Sequence, residues 1–478
     1  MKLRILAALT GAALFGPMAA QTAPVAQGNG TQAALTLDQC IEIALSESPT
    51  VKVADMEIAR MDYSKKETLG QLLPNISFDG TYSRMLAKQV MYMNMDGFGG
   101  MGGDNSGEGS AESAESKPAS EGIKMGLDNS FQLGFSASVP LIAPQLWQSL
   151  KLSDAQIAQT VEQARASRLN LVNSVKNAFY AYLLAEDSRR VIQESYDMAA
   201  FTHSIYVKQQ SVGAASEYDV LRTSVAMKNV EPDLTQAQIA IKQARLQLLI
   251  LMGLDTTAPV TFSGSLGEYE KTMYADVMAL GSDYTNNTEL RQNALQTQTL
   301  ERALKVQKMS FIPTLALAAN YNWTSMSNGS PFKNFRWNPY STVALSLSIP
   351  LFQGGQRVNR VKQAQVQVDQ MRMQREDLER SVAMQVDVAR DNIQLNVKQI
   401  ASSAESVGQA ERAHDIMQKS FEIGAASYLD LRDSELALTQ SRLAYYQTVY
   451  NYLVAGANLE LLLGNAVTET PVNPYTKK

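Results

Sequence analysis

The stretch Val212-Gly213-Ala214-Ala215-Ser216, followed by Asp219, returns 211 residues later as Ile423-Gly424-Ala425-Ala426-Ser427, followed by Asp430. A turn-forming run that recurs together with its downstream acid marks an internal duplication, and a duplication sets the architecture before any local assignment. Three further landmarks recur in the same order. Leu248-Leu249-Ile250-Leu251-Met252-Gly253 is matched by the segment Leu459 to Gly464, again 211 residues on. Ser138-Val139-Pro140-Leu141-Ile142 is matched by Ser348-Ile349-Pro350-Leu351-Phe352 at an offset of 210, and Leu72-Leu73-Pro74-Asn75-Ile76 by Phe311-Ile312-Pro313-Thr314-Leu315 at 239. The fall from 239 to 210 leaves the first copy with 29 additional residues between Pro74 and Pro140.

Outward from the two Gly-Ala-Ala-Ser turns the chain reads helical. Gln145 to Ser211 is 67 residues without proline or glycine, and Gln356 to Ile423 is 68 residues interrupted only by Gly408. At 1.5 Å per residue each helix is roughly 100 Å long. The second carries an apolar seam through Val361, Ala364, Val368, Met371, Leu378, Val382, Val386, Ala389, Ile393, Val397, Ile400, Ala404 and Val407, at coiled-coil spacing. A helix of that length needs neighbours throughout. Thr50 to Leu73 (24 residues) and Ala214 to Gly253 (40 residues) supply them in the first copy, and Glu289 to Ile312 with Ala425 to Gly464 do so in the second. Each short pair is expected to stack end to end beside its long helix. The joints then lie at one level, with the N-terminal segment, the linker Leu254 to Asp283 and the tail after Asn465 around them. Pro232 stands where the second copy has Leu443, which predicts a kink or restart at Glu231-Pro232-Asp233.

Around the Leu/Ile-Pro landmarks the period changes to two. Ile76, Phe78, Gly80 and Tyr82 alternate with polar residues, as do Phe131, Leu133, Phe135, Ala137 and Val139. The second copy repeats this with Leu315, Leu317, Ala319, Tyr321 and Trp323, then Val343, Leu345, Leu347 and Ile349. Four strands in two hairpins follow. Their lengths and one-sided apolarity suit strands between lipid and a water-filled lumen. The other reading is a soluble sheet covered by helices. Four strands cannot close a barrel alone, since about eight is the practical minimum, so a membrane location requires several chains to share one.

Composition removes most other functions. The 478-residue chain carries 42 Lys and Arg against 47 Asp and Glu, a net charge of −5, with no basic stripe of the kind nucleic acid requires. Mean hydropathy is −0.18, too low for a helical membrane transporter. One cysteine and two histidines provide no disulfide framework, structural zinc site or catalytic constellation, so no catalytic, cofactor-binding or metal site is expected. Lys2 and Arg4, the apolar run Ile5 to Phe15 and Pro17-Met18-Ala19-Ala20 read as a signal peptide over 1–20, so the chain is exported. Cys40 lies well past that cleavage site and reads as a buried free thiol, not the acylated first residue of a lipoprotein. The 29 extra residues fall in a Met-rich, then Gly/Ser/Glu/Ala-rich stretch that reads as a long mobile surface loop over 87–128. Its methionines are either soft Cu(I) ligands or simply tolerated there, the second being the expectation.

With its duplicated landmarks in order, its opening Leu35-Thr36-Leu37-Asp38-Gln39-Cys40-Ile41-Glu42-Ile43-Ala44-Leu45, its run Ile349-Pro350-Leu351-Phe352-Gln353-Gly354-Gly355 and its paired Gly-x-x-Ser-x-x-Asp turns, the chain resembles the TolC family of outer-membrane efflux proteins over nearly all its mature length. The resemblance implies an α+β membrane protein: an internally duplicated long α-helical coiled-coil barrel, with four β-strands per chain contributing to a trimeric 12-stranded outer-membrane β-barrel. The expected segments are 21–73 (N-terminal segment and first helices), 74–140 (barrel hairpin 1), 141–253 (long helical hairpin), 254–283 (equatorial linker), 284–312 (leading helix of the second copy), 313–350 (barrel hairpin 2), 351–464 (second long helical hairpin) and 465–478 (tail).

The implied function is that of an outer-membrane channel-tunnel of a tripartite efflux or type I secretion system. It passively exports what an inner-membrane pump delivers through a periplasmic adaptor. The implied location is the outer membrane of a Gram-negative bacterium, with the helices in the periplasm. Carried onto this chain, the resemblance assigns Gly213, Ala214, Ala215, Ser216, Gly424, Ala425, Ala426 and Ser427 to an adaptor-docking tip, and Asp430, Asp433 and Asp219 to the periplasmic entrance. Ala426 stands where closed relatives often carry a basic residue, so no salt bridge to Asp219 is available from there. His203 and His414 are repeat-equivalent, each ten residues before its turn's Val or Ile-Gly pair closes at Gly213 or Gly424; they read as solvated or interface residues, with pH sensing the alternative. A periplasmic coiled-coil adaptor and a structural envelope protein are the competing functions. The adaptor would need one hairpin flanked by compact β domains.

Overall fold

The computed structural model describes residues 34–91, 123–269, 281–328 and 336–465. Its elements are β1 (Ala34–Leu35), α1 (Leu37–Glu47), α2 (Pro49–Gly70), β2 (Asn75–Arg84), β3 (Gln89–Met91), β4 (Ile123–Met125), β5 (Asn129–Ile142), α3 (Pro144–Ser211), α4 (Glu217–Leu251), β6 (Thr261–Phe262), α5 (Leu266–Tyr269), α6 (Thr288–Met309), β7 (Thr314–Ser327), β8 (Asn338–Ser348), α7 (Gln356–Glu422) and α8 (Tyr428–Leu463). The fold is mostly helical with a smaller β region. No helix among the described residues is long and apolar enough to cross a membrane.

The long helices run unbroken. Pro144 opens α3 at its first turn, where its missing N–H is no loss, and α7 passes through Gly408 without interruption. Helices α2 and α4 lie along α3, α6 and α8 lie along α7, and α3 also packs on α6 and α8, which ties the two copies together. All five buried apolar residues of α7, namely Val368, Val382, Val386, Ile393 and Ile400, belong to the coiled-coil seam read from the sequence.

The stacking joints are tight. Gly253 ends the α4 segment at φ +72° with the Glu47 carbonyl oxygen 2.7 Å from where a Cβ would stand. Gly464 ends the α8 segment at φ +69°, with the Asn286 carbonyl oxygen 2.1 Å from that position. The ends of α4 and α8 therefore abut the starts of α2 and α6. Arg165 of α3 clamps the second joint, donating from Nη2 to the Asn286 carbonyl at 2.7 Å and from Nη1 to the Gly464 carbonyl at 3.4 Å.

The densest core surrounds this level. Cys40, Phe179, Leu183, Leu248, Leu249, Met252, Leu266, Leu459 and Leu463 are all buried there. Burial pushes the Cys40 thiol up to about 12, so it is an unreactive core thiol. Residues 254–269 of the linker are structured: β6 pairs in parallel with β1, and the buried Asp187 carboxylate accepts the Leu266 amide at 3.0 Å.

The four strands form one antiparallel sheet in the order β2-β5-β7-β8. Its register puts Ile76, Ala137, Ala319 and Val343 in one cross-strand row and Ser77, Ser136, Asn320 and Thr342 in the next. One face is thus apolar, joined by aromatic contacts such as Phe78–Phe135 at 4.8 Å and Tyr82–Phe131 at 4.5 Å. The other is polar. The apolar face is uncovered, with Ile76, Val343 and Leu345 at 70%, 76% and 63% exposure, which removes the reading of a helix-covered soluble sheet.

Two expectations are corrected. The restart half of the expectation at Glu231-Pro232-Asp233 is not met: helix α4 continues from Glu217 to Leu251 with Pro232 inside it. The face bearing Pro232 is exposed, so water can solvate the Lys228 carbonyl that proline leaves without a donor, while packing along α3 supports the helix on both sides of it. The stretch 87–128 is not loop from end to end. The Met85 amide donates to the Asp128 carbonyl at 2.8 Å, Lys88 pairs with Asp128 at 3.0 Å, and β3 pairs with β4. Extending an existing hairpin ladder adds no new loop to close. Residues 92–122, the rest of that expected loop, lie outside the described residues, as do the signal peptide over 1–20 and the tail after Asn465.

Candidate docking tip and channel entrance

Both helical hairpins end in the same turn. Gly213 at φ +79° and Gly424 at φ +75° occupy the left-handed region, and a Cβ at either would meet nothing within 4 Å. Conformation, not space, therefore demands glycine there. The carbonyls left open by each ending helix are taken in a Schellman pattern. Gly213 and Ala214 donate to the carbonyls of Gln210 and Gln209, and Gly424 and Ala425 to those of Phe421 and Ser420, at 2.8 to 3.0 Å.

Capping boxes restart the chain. The Ser216 hydroxyl accepts the Asp219 amide at 3.2 Å, while Asp219 Oδ2 accepts the Ser216 amide at 3.2 Å and hydroxyl at 2.6 Å. Ser427 and Asp430 repeat this at 3.3, 3.1 and 2.7 Å. Hydrogen bonding from the serine holds both carboxyls below the usual range. Asp219 and Asp430 are thus capping residues first, each with one oxygen committed to its own turn. Ala214, Ala425 and both serines are exposed, and Ala215 and Ala426 are half-buried, leaving a shallow, small-residue surface.

The charges differ between the copies. Arg222 follows Asp219 by three residues, and its repeat equivalent is Asp433, which follows Asp430 by three. With Glu217 in the first and Arg432 in the second, each tip carries two carboxylates and one arginine, so the copies differ in the order of their charges and not in the sum. Asp433 is exposed and forms no ion pair among the described residues.

Sequence reasoning missed what joins the tips. Arg222 of α4 lies over the Tyr428 ring of α8 at 4.9 Å, Tyr206 of α3 meets Tyr428 edge-on at 5.8 Å, and Tyr206 also contacts Phe421 of α7 at 6.3 Å. The signal lay in the repeat comparison, where Tyr428 replaces Glu217 and Phe421 replaces Gln210. The histidines sit inside their hairpins: His203 Nδ1 is 3.0 Å from the Thr223 hydroxyl and His414 Nδ1 is 3.4 Å from the Ser434 hydroxyl. Each hydroxyl already donates to a backbone carbonyl, so the imidazole N–H is the donor. Burial keeps His414 below its ordinary value.

Long paired hairpins that meet a sheet with an uncovered apolar face and a polar face define a channel protomer of the bacterial outer membrane. The chain belongs to the outer membrane efflux protein family, whose model matches residues 40–254 and 283–465 and skips the linker between the copies. It is 20% identical over 335 residues to outer membrane protein TolC of Vibrio cholerae, covering 69% of this chain and 76% of that one. It is 27% identical over 186 residues to TolC of Escherichia coli, covering 37% and 38%. Its fold is similar to the Campylobacter jejuni CmeC outer membrane channel, with a TM-score of 0.67 at 15% identity over 92% of this chain and 90% of that chain. The protein is a transport conduit, not an enzyme. It resides in the outer membrane with its helical part in the periplasm, as the outer-membrane component of a tripartite efflux or secretion system.

Proposed function

We propose that three copies close a 12-stranded barrel and a continuous helical tunnel, and that the tips at Gly213–Ser216 and Gly424–Ser427 dock a periplasmic adaptor that links the channel to an inner-membrane pump. The observation that carries the shared barrel is the sheet itself. Strands β2 and β8 are its two edges and are exposed along their whole length, and unpaired backbone groups in lipid cost several kcal/mol each. Pairing β2 of one copy with β8 of the next removes every edge, and three copies of a four-stranded sheet give 12 strands. Below the sheet, α2 leaves Val53, Met56 and Tyr63 exposed, and α7 leaves Val366, Met373, Met384 and Val388 exposed. These are apolar rows for a neighbouring copy to cover.

At the tip, side chains no larger than alanine and serine admit a partner helix closely. Asp433, with Asp430 beside it at the start of α8, supplies negative charge that a threefold arrangement concentrates around one opening. Export tests the docking. Ala215→Trp and Ala426→Trp should each abolish pump-dependent resistance or secretion while trimers still assemble. Wild-type export from both variants would remove the tip from the docking surface.

A further inference from the structure

At the second tip, residues of α3, α7 and α8 line a cavity of about 430 Å³ that is open to solvent on one side, within the size range of small-molecule sites. Its α3 wall presents Phe201 and Ile205, one turn apart on one helix face, with Tyr206 next to Ile205. Phe421 and His414 come from α7, seven residues apart on one face, and Leu431 and Glu435 form the α8 floor. The lining contains two carboxylates, Glu422 and Glu435, and no lysine or arginine.

Glu435 is the unusual member. It is 7% exposed, and no side-chain hydrogen bond to its carboxylate is found among the described residues, the one charge acting on it being Arg432 three residues earlier. Its repeat equivalent is Ser224, so the duplication does not require an acid here. A buried carboxylate without a donor costs stability unless something pairs with it. Aromatic rings beside a buried acid are the chemistry that holds an apolar cation, through cation–π attraction and a Coulombic partner.

We propose that this cavity binds a lipophilic organic monocation, with Glu435 as its counter-ion and Phe201, Tyr206 and Phe421 as its aromatic walls. The site does not depend on the adaptor, and its failure would leave the export reading untouched. Burial lifts the Glu435 carboxyl to about 7, so binding follows its ionisation. The groups facing it are Arg432 on its own helix, His414 and Glu422 on α7, Tyr206 on α3, and Asp233 of α4 across the groove on its other side. Arg442 is engaged elsewhere, by Glu194 at 2.6 Å and Glu411 at 2.9 Å. Protonation of His414 at low pH acts in the same direction as protonation of Glu435, against a cation.

Isothermal titration of the detergent-purified full chain with tetraphenylphosphonium tests this. Saturable binding of one cation per protomer is expected, about tenfold tighter at pH 8 than at pH 6, the ratio of ionised fractions for an acid titrating near 7. Glu435→Gln should weaken binding at pH 8 by at least about tenfold and remove the dependence on Glu435 ionisation. Ala426→Leu narrows the cavity while leaving Glu435 in place, so it should also weaken binding and stands in if the glutamine variant fails to assemble. Tetraphenylborate, of the same shape and opposite charge, should not compete. Absence of saturable binding, wild-type affinity in the glutamine and leucine variants, or equal binding of the borate would each overturn the proposal.

Discussion

Replacing Gly464 with alanine separates two reasons for needing glycine that Gly424 does not combine. At Gly424 the only penalty is the left-handed backbone, since a Cβ meets nothing within 4 Å; alanine there should cost about 1 kcal/mol. At Gly464 the same φ penalty applies, and the new Cβ would also lie 2.1 Å from the Asn286 carbonyl oxygen and 2.6 Å from its carbon. Both are backbone atoms and cannot rotate away. The end of α8 must then withdraw from the start of α6, loosening the Arg165 clamp and the Asn287 amide that donates to the Leu462 carbonyl at 2.7 Å. Overpacking of this kind adds about 1–3 kcal/mol, for a total of about 2–4 kcal/mol. Urea unfolding followed by helical circular dichroism in matched detergent should show Gly464→Ala losing clearly more stability than Gly424→Ala. Equal losses, or a wild-type Gly464→Ala, would refute the close stacking of the two helices.

Glu435 has a raised carboxyl, so its contribution is fully present below the unfolded value near 4.5 and is lost as pH rises through about 7. Glu435→Gln should therefore stabilise the ligand-free protein at pH 8, by about 2 kcal/mol after allowing for solvent at the cavity mouth, with little gain at pH 5; thermal melts across that range check it. Arg168 of α3, 6% exposed, makes a two-oxygen contact with Asp55 of α2 at 2.7 and 2.8 Å. Asp55→Ala should cost about 3 kcal/mol by leaving the guanidinium buried and unpaired, read from the same unfolding curves. Asp433→Ala should reduce cation selectivity and weaken block by multivalent cations, with stability unchanged. Asp430→Ala should do the same and also lose about 1 kcal/mol of capping, and an unchanged reversal potential in the double variant would place both carboxylates outside the pore.

The parts of this architecture legible in the sequence are those governed by repetition and by glycine. The 211-residue offset located both turns, and the left-handed φ at Gly213, Gly424, Gly253 and Gly464 explains why glycine recurs at those four landmarks. The seam of α7 was legible because that helix buries a single stripe. Other features obey longer-range rules. The β1–β6 ladder is two residues long, too short for any period, and Pro232 does not end α4, which packs along α3. Helix α8 lies between α7 and α3, so it buries residues on two sides and a single stripe does not stand out. That is why nothing in the sequence singled out Glu435, which the fold buries. The exchange of Arg222 for Asp433 is visible in the aligned copies, but what Arg222 does depends on its place over the Tyr428 ring, which only the folded chain supplies.

The central claim is that chains with open-edged sheets combine to make a pore, and single-channel recording in planar lipid bilayers tests it most directly. The purified protein should insert as discrete, uniform conductance steps whose reversal potential in a salt gradient favours cations and shifts toward zero in Asp433→Ala. A homogeneous, folded protein that produces no conductance steps in bilayers where a control porin inserts would contradict the account.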